Sequence, residues 1–229
     1  MSDVTPIVAL DVSNEKDALS LVDSLGSQCR FYKIGSELFA AEGPSIVKAV
    51  QRRGADVFLD LKFHDIPNTV RGAVRSAAAL GARLVTVHAA GGRAMLEAAV
   101  DGGGTACNIL AVTVLTSLDA DSLGAAWGRT IPNVQDEVLR LAGLAKDTGT
   151  HGVVCSGLEA AAVRSRYGST LATLVPGVRL AGEAVQDQAR VVTPRQAAEA
   201  GARYIVLGRA VTAAKSPRDA MSEVLSDLS

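Results

Sequence analysis

Two carboxylates and an ammonium group lie within six residues in the segment 60–69, whose sequence is DLKFHDIPNT. The segment follows a short apolar run that is typical of a buried strand. Because side chains alternate along a strand, Asp60 and Lys62 would share one face, and Asp65 would lie past the strand end. Pro67 favours the first turn of a helix directly afterwards. Such an acid–base–acid array suits proton transfer on an anionic substrate.

A simpler interpretation of the same residues is a solvated strand end or a surface ion pair. Exposed ion pairs are common and contribute little to stability, so the motif alone does not separate the two. The predicted secondary structure around the motif is therefore needed to distinguish a catalytic array from a surface ion pair.

Short β-branched runs alternate with amphipathic segments along the whole chain. The predicted strands are 7–10, 31–34, 56–61, 84–87, 109–114, 152–155, 172–175 and 204–207. The predicted helices are 15–25, 44–53, 69–80, 93–99, 133–146, 159–167, 194–200 and 217–228. Alternation of this kind predicts a parallel sheet. Eight units in 229 residues fit a closed (β/α)8 TIM barrel.

The main alternative, an open doubly wound sheet, usually carries a Gly-rich dinucleotide-binding turn after a strand. No such turn occurs here, and the three glycines 102–104 precede a strand, so we predict a loop there. Trp127 is also predicted to lie in a loop, as a packing residue. No linker or change of composition divides the chain, which predicts one catalytic domain over residues 1–229.

Composition argues against several classes of protein. A net charge of −1 and an aromatic content of 3% disfavour a nucleic-acid binder. The first six residues lack the basic region and long apolar core of a signal peptide, and no apolar run reaches the roughly 18 residues that a membrane helix needs, which predicts a soluble protein. Three widely spaced cysteines have no disulfide or metal-site spacing and indicate buried thiols in a reducing cytoplasm.

In this barrel fold the active site lies at the carboxyl ends of the strands. Polar residues collect at those predicted ends: Asp11, Lys33, Asp60, Lys62, His88, Thr116, Ser117, Arg179 and Arg209. The loops 176–179 and 208–211, after the last two strands, contain the glycine and arginine residues that suit a phosphate group. Gln188 in the long loop after strand seven could close over such a ligand.

These motifs together resemble the bacterial orotidine 5′-phosphate decarboxylase family over essentially the whole chain. The resemblance rests on residues 59–70, LDLKFHDIPNTV, which is highly specific. It continues through the segments 87–92, 115–117, 153–156, 176–179, 187–188 and 208–209.

The resemblance implies a role for each matching residue. Asp60, Lys62 and Asp65 would form a charged catalytic network with Lys33, in which Lys62 donates a proton. The implied substrate-binding residues are Asp11 and Lys33 at the ribose, Thr116 and Ser117 at the pyrimidine, and Arg179, Gln188, Gly208 and Arg209 at the phosphate. Asp65 and Thr69 would reach into the site of a neighbouring subunit, which implies a homodimer with shared active sites.

The implied reaction converts orotidine 5′-monophosphate to uridine 5′-monophosphate (UMP) and CO2, the last step of de novo UMP biosynthesis, without metal or cofactor. Two alternatives remain open. One is a Mg²⁺-dependent sugar-phosphate lyase of the same superfamily, which shares D-x-K-x-x-D but lacks the Ile-Pro-Asn-Thr continuation. The other is a barrel that binds a phosphoribosyl group without catalysis.

Overall fold

The chain folds into a closed barrel of eight parallel strands in sequence order, in which the last strand pairs with the first. The computed structural model describes residues 4–180 and 191–229. The strands are β1 (Thr5–Ala9), β2 (Phe31–Gly35), β3 (Asp56–Phe63), β4 (Leu84–His88), β5 (Asn108–Val112), β6 (Gly152–Val154), β7 (Ala172–Val178) and β8 (Tyr204–Leu207). The predicted barrel and its eight strands are therefore confirmed.

The helices lie between successive strands and after β8. They are α1 (Glu15–Leu25), α2 (Ser36–Glu42), α3 (Ser45–Gln51), α4 (Pro67–Ala79), α5 (Arg93–Gly103), α6 (Ala120–Trp127), α7 (Val134–Asp147), α8 (Gly157–Tyr167), α9 (Pro194–Glu199), α10 (Arg209–Thr212) and α11 (Pro217–Leu228). All eight predicted helices are present; α1 and α11 have the predicted bounds, and the other six have shifted ends. The short helices α2, α6 and α10 were not predicted, because few turns give little hydrophobic periodicity.

Two loop predictions were wrong. Gly102 and Gly103 form the last turn of α5, and only Gly104 lies beyond it. A Cβ atom on Gly102 would lie 2.6 Å from the carbonyl oxygen of Arg71 in α4, so close packing of the two helices requires glycine there. Trp127 ends α6 instead of lying in a loop, but it does pack against the hydrophobic core.

The interior of the barrel explains why charged residues gather at one end. A compact cluster built only from strand residues fills it: Ile7, Ala9, Phe31, Phe58, Leu84, Leu110, Leu174, Tyr204 and Val206. Strand side chains face the same way every second residue. The inward positions that follow Ala9, Phe31 and Phe58 are therefore Asp11, Lys33 and Asp60, at the carboxyl ends of their strands.

The helices pack outside this barrel against a second and larger hydrophobic cluster. Among the residues that the structure describes, no helix is both long enough and apolar enough to cross a membrane.

Candidate active site

A cavity of about 480 Å³ opens at the carboxyl ends of the strands, a volume typical of small-molecule sites. Its charged side is formed by β1 to β3 and contains Asp11, Lys33, Asp60 and Lys62. The remaining lining residues are Ala9, Phe58, Val112, Val114, Leu115, Thr116, Val154, Leu174, Pro176, Gly177, Arg179, Val206, Gly208, Arg209 and Thr212. One cavity thus joins a charged wall, an apolar wall and a pair of arginines.

The charged wall is a continuous row of ion pairs. Lys33 Nζ lies 2.8 Å from Asp11 Oδ1 and 3.8 Å from Asp60 Oδ2. Lys62 Nζ lies 2.8 Å from the same Asp60 oxygen. The side chains of Lys33 and Asp60 are only 11% and 13% exposed, so water screens the middle of the row poorly. A Cβ atom on Gly35 would approach Lys33 Nζ to 3.2 Å, and glycine leaves the ammonium group its room.

Opposing effects act on the carboxyl group of Asp60. Burial favours its neutral form and raises the pKa. The positive charges of Lys62 and Lys33, with hydrogen bonds from Lys62 and Thr86, outweigh burial and hold the pKa below its ordinary value. Asp60 is therefore an anion at neutral pH, in a position where a second anion would be repelled.

The backbone at Lys62 departs from regular strand geometry. Its φ angle is +48°, the only positive value for a non-glycine residue in the described chain. The departure coincides with a bulge in the pairing of β3 with β4, and such a φ angle is costly for a residue with a side chain. Regular alternation of side chains is therefore broken at Lys62. Asp60 and Lys62 both line the cavity, and both lie within the bulge.

The chain segments at the ends of β7 and β8 offer groups that suit an anion. Arg179 is buried, and its Nε has no hydrogen-bond partner among the described residues. Gly177 takes a φ of +71°, a conformation that glycine adopts without strain. Gly208 precedes α10, whose first residue is Arg209, and both line the cavity. Two arginines and glycine-rich backbone at one end suit a phosphate group.

Three of the predicted site residues that the structure describes lie outside the cavity lining. Ser117 is exposed and does not line the cavity, unlike its neighbour Thr116. Asp65 and Thr69 are exposed beyond the end of β3 and also lie outside the cavity lining. Gln188 falls outside the described residues. Across residues 4–180 and 191–229, no group of three or more His, Cys, Asp and Glu side chains could hold a metal ion.

Comparison with known proteins identifies the family. A family model described as "Orotidine 5′-phosphate decarboxylase / HUMPS family" matches residues 5–224. The chain belongs to this family. A protein named orotidine 5′-phosphate decarboxylase from Anaeromyxobacter sp. (strain K) is 51% identical over 220 residues, which cover 96% of each chain. The corresponding protein from Teredinibacter turnerae is 45% identical over 225 residues, covering 97% of this chain and 96% of the relative.

A solved structure of similar fold supports the same assignment. The crystal structure of orotidine 5′-phosphate decarboxylase from Lactobacillus acidophilus matches with a TM-score of 0.87 and 36% sequence identity. The match covers 98% of both chains, so nearly the whole chain has a counterpart in that structure. The resemblance inferred from the motifs is thereby confirmed at the level of the family.

Sequence reasoning missed Thr86 in this family member. Its hydroxyl donates a hydrogen bond to Asp60 Oδ1 at 2.8 Å and accepts one from the backbone N–H of Lys62 at 2.9 Å. Thr86 is a common type of residue within a strand, and nothing in its type marks it. The signal that could have found it is positional: it is the inward residue that follows Leu84 on the strand beside the motif.

His88 follows at the carboxyl end of β4, with its ring centroid 5.4 Å from that of His64. Burial lowers the pKa of His88 below 6.5, and the charges of His64 and Lys62 act in the same direction. As the pH falls below the ordinary pKa of histidine, His88 is protonated more readily in the unfolded chain than in the folded protein. The stability of the folded protein therefore falls as the pH decreases. His151, which is also half-buried, has a lowered pKa and adds to the effect.

We therefore expect the urea midpoint to fall between about pH 7.5 and pH 5.5, and to fall less in His88→Gln than in the wild type. Chemical unfolding at several pH values measures both slopes. Because His151 is unchanged in the variant, part of the slope should remain. An identical pH dependence in variant and wild type would contradict the role given to His88.

Proposed function

We propose that this protein decarboxylates orotidine 5′-monophosphate to UMP and CO2 in de novo pyrimidine biosynthesis, with residues 1–229 as one catalytic domain. The observation that carries the proposal is the row of charges Asp11–Lys33–Asp60–Lys62 in one cavity with two arginines. The relatives named orotidine 5′-phosphate decarboxylase, which match nearly the full chain, support the same reaction.

The reaction breaks the bond between C6 of the pyrimidine and the carboxylate carbon, and the electron pair stays on C6. In the proposed mechanism Asp60 faces the substrate carboxylate and repels it. Two like charges about 4 Å apart cost on the order of 4 kcal/mol at an effective dielectric constant of 20. That energy corresponds to roughly three powers of ten in rate.

Repulsion alone is insufficient, because enzymes commonly lower barriers by about 8–23 kcal/mol. Lys62 would supply the next contribution, since its ammonium group stabilises the negative charge that develops at C6. It would then transfer a proton from Nζ to C6 to complete UMP. The 2.8 Å pair with Asp60 supports this role, because it holds the ammonium group beside the carboxylate that faces the leaving CO2.

Binding of the rest of the nucleotide would orient the base. We assign Asp11 and Lys33 to the ribose hydroxyls and Thr116 to the pyrimidine, with Ser117 beside it. The phosphate would be bound by Arg179, Gly208 and Arg209, with Gln188 from the segment outside the described residues. Arg179 is buried and its Nε has no hydrogen-bond partner among the described residues, which supports an anionic partner at this end. Binding energy from the phosphate can then help to organise the distant charged row.

The assembly we propose is a homodimer in which Asp65 and Thr69 complete the partner subunit's site. Both side chains are exposed in the single chain, and Ile66 between them is 67% exposed. A partner subunit at this position would remove the apolar side chain of Ile66 from water. The three buried cysteines, which form no disulfide among the described residues, support a reducing cytoplasm as the compartment.

Incubation of metal-free protein with orotidine 5′-monophosphate tests the proposal. We expect the ultraviolet absorbance of the substrate to change to that of UMP, at the same rate with and without EDTA. Release of CO2 measured in the same reaction is the independent readout. Loss of activity on chelation, restored by Mg²⁺, would instead favour the sugar-phosphate lyase, and nucleotide binding without CO2 release would favour the non-catalytic barrel.

A further inference from the structure

We infer that Thr86 is a positioning residue whose hydroxyl group holds both Asp60 and Lys62 in their reactive arrangement. The inference rests on the proposed function for its effect on turnover, and on the structure alone for its effect on geometry. Thr86 is fully buried and does not line the cavity, so it would act on the substrate only through these two residues.

The pairing of β3 with β4 is irregular beside Thr86. Leu59 lies opposite Val85, and the next paired residues are Phe63 and Val87. Three residues of β3 therefore lie opposite Thr86 alone. A regular parallel ladder provides backbone partners for matched residues, so an excess of two residues leaves backbone groups of β3 without ladder partners.

The side chain of Thr86 replaces one of those missing partners. The backbone N–H of Lys62 donates to Thr86 Oγ1 at 2.9 Å. Lys62 is the residue with the φ angle of +48°, a conformation that costs free energy and persists only where its surroundings enforce it. The hydrogen bond that this backbone N–H donates to the buried hydroxyl of Thr86 provides such enforcement.

The hydroxyl group of Thr86 donates its proton to a second partner. A backbone N–H can only donate, so Oγ1 accepts from Lys62 and its own proton is available to another acceptor. That acceptor is Asp60 Oδ1 at 2.8 Å. The other oxygen of Asp60 contacts Lys62 Nζ and Lys33 Nζ. Both carboxylate oxygens therefore have partners, and the orientation of the carboxylate is fixed from two sides.

The hydroxyl group of Thr86 thus connects the backbone of Lys62, the proposed proton donor, with the carboxylate of Asp60, which is proposed to repel the substrate carboxylate. Valine has nearly the same shape as threonine but can neither accept from Lys62 nor donate to Asp60. Serine keeps the hydroxyl and loses only the methyl group. The pair Thr86→Val and Thr86→Ser therefore separates hydrogen bonding from packing.

We expect Thr86→Val to lower kcat at least tenfold, equivalent to about 1.4 kcal/mol in the barrier, with KM for orotidine 5′-monophosphate changed less than about threefold. The groups assigned to the phosphate and ribose are untouched, which is why KM should be preserved. We expect Thr86→Ser to retain kcat within about threefold of the wild type. Steady-state kinetics of the three proteins provides the comparison.

Thermal unfolding of the same proteins distinguishes positioning from general damage. Serine leaves a small cavity in a fully buried position, so Thr86→Ser should lose stability while it keeps activity. A merely structural role predicts that activity follows stability in both variants. Unchanged kcat in Thr86→Val, or an equal loss of kcat in both variants, would overturn the inference.

Crystal structures of the two variants test the geometry without any assay. In Thr86→Ser we expect Lys62 to keep its positive φ and its contact with Asp60, and in Thr86→Val we expect at least one of them to be lost. Retention of both in Thr86→Val would overturn the inference whatever the reaction proves to be. A wild-type protein that leaves orotidine 5′-monophosphate unchanged would instead reject the proposed function.

Discussion

Lys62→Ala should abolish turnover of orotidine 5′-monophosphate while leaving the binding of UMP measurable. The variant removes the ammonium group that lies 2.8 Å from Asp60, and with it the proposed proton donor for C6. Alanine keeps the Cβ atom, so the strain of the positive φ angle at this position is not relieved. The groups assigned to phosphate follow β7 and β8, on other strands than Lys62, and remain intact.

The expected loss is large because two contributions disappear together. A positioned general acid contributes typically about 10²- to 10⁴-fold. A preorganised electrostatic group contributes roughly another 10²- to 10³-fold. We therefore expect kcat to fall by about 10⁴-fold or more, measured as the loss of substrate absorbance, with UMP affinity measured by calorimetry.

Two control variants sharpen this test. Lys62→Arg keeps a cation that does not give up its proton near neutral pH, so it should recover only part of the electrostatic contribution. Lys48→Ala removes an exposed lysine from α3, on the outside of the barrel, and should leave kcat unchanged. Near-normal CO2 release from Lys62→Ala would refute the role assigned to this lysine.

The fold and the placement of Lys33 and Asp60 in the charged row could be predicted because they follow from simple periodicity. Alternation of strands and helices indicates a barrel, and a barrel places strand ends at a common mouth. Asp60 is two residues beyond the inward-facing Phe58, and Lys33 is two residues beyond Phe31, so their convergence follows from the two-residue repeat.

Other features depend on relationships that a single stretch of sequence does not contain. The bulge at Lys62 arises from the register between β3 and β4, which only the folded pair defines. Thr86 matters because it lies opposite that bulge, and Gly35 because its missing side chain leaves room for Lys33. Gly102 was predicted to lie in a loop because the reason for a glycine there, the close approach of α4 to α5, exists only in the folded structure.

The position of Asp65 is a different case, since the single chain leaves it outside the cavity. Its Oδ1 accepts a hydrogen bond from the backbone N–H of Ile66 at 2.6 Å, and its side chain is exposed. The motif nevertheless places it three residues after Lys62. The proposed role of Asp65 in catalysis would therefore use a second copy of the chain, and this proposal predicts the second large effect.

We expect Asp65→Ala and Lys62→Ala each to be inactive as homodimers, and their heterodimer to recover about half of the wild-type activity. In the heterodimer one site combines the intact Lys62 of one chain with the intact Asp65 of the other. Co-expression with two different tags allows the heterodimer to be purified, and sedimentation confirms its mass. If Asp65 acted within its own chain, both sites would lack one group and no activity would return.

The mirror experiment gives the opposite outcomes and removes the ambiguity of a partial recovery. A wild-type chain paired with a chain carrying both Lys62→Ala and Asp65→Ala should be inactive if the sites are shared, because its remaining Lys62 faces a partner without Asp65. With unshared sites the same heterodimer would keep about half of the activity. Asp136→Ala, an exposed position on α7, is the matched control. A heterodimer of Asp136→Ala with Lys62→Ala should have about half of the wild-type activity whether or not the sites are shared. The comparison therefore tests only whether Asp65 acts in the partner subunit's site.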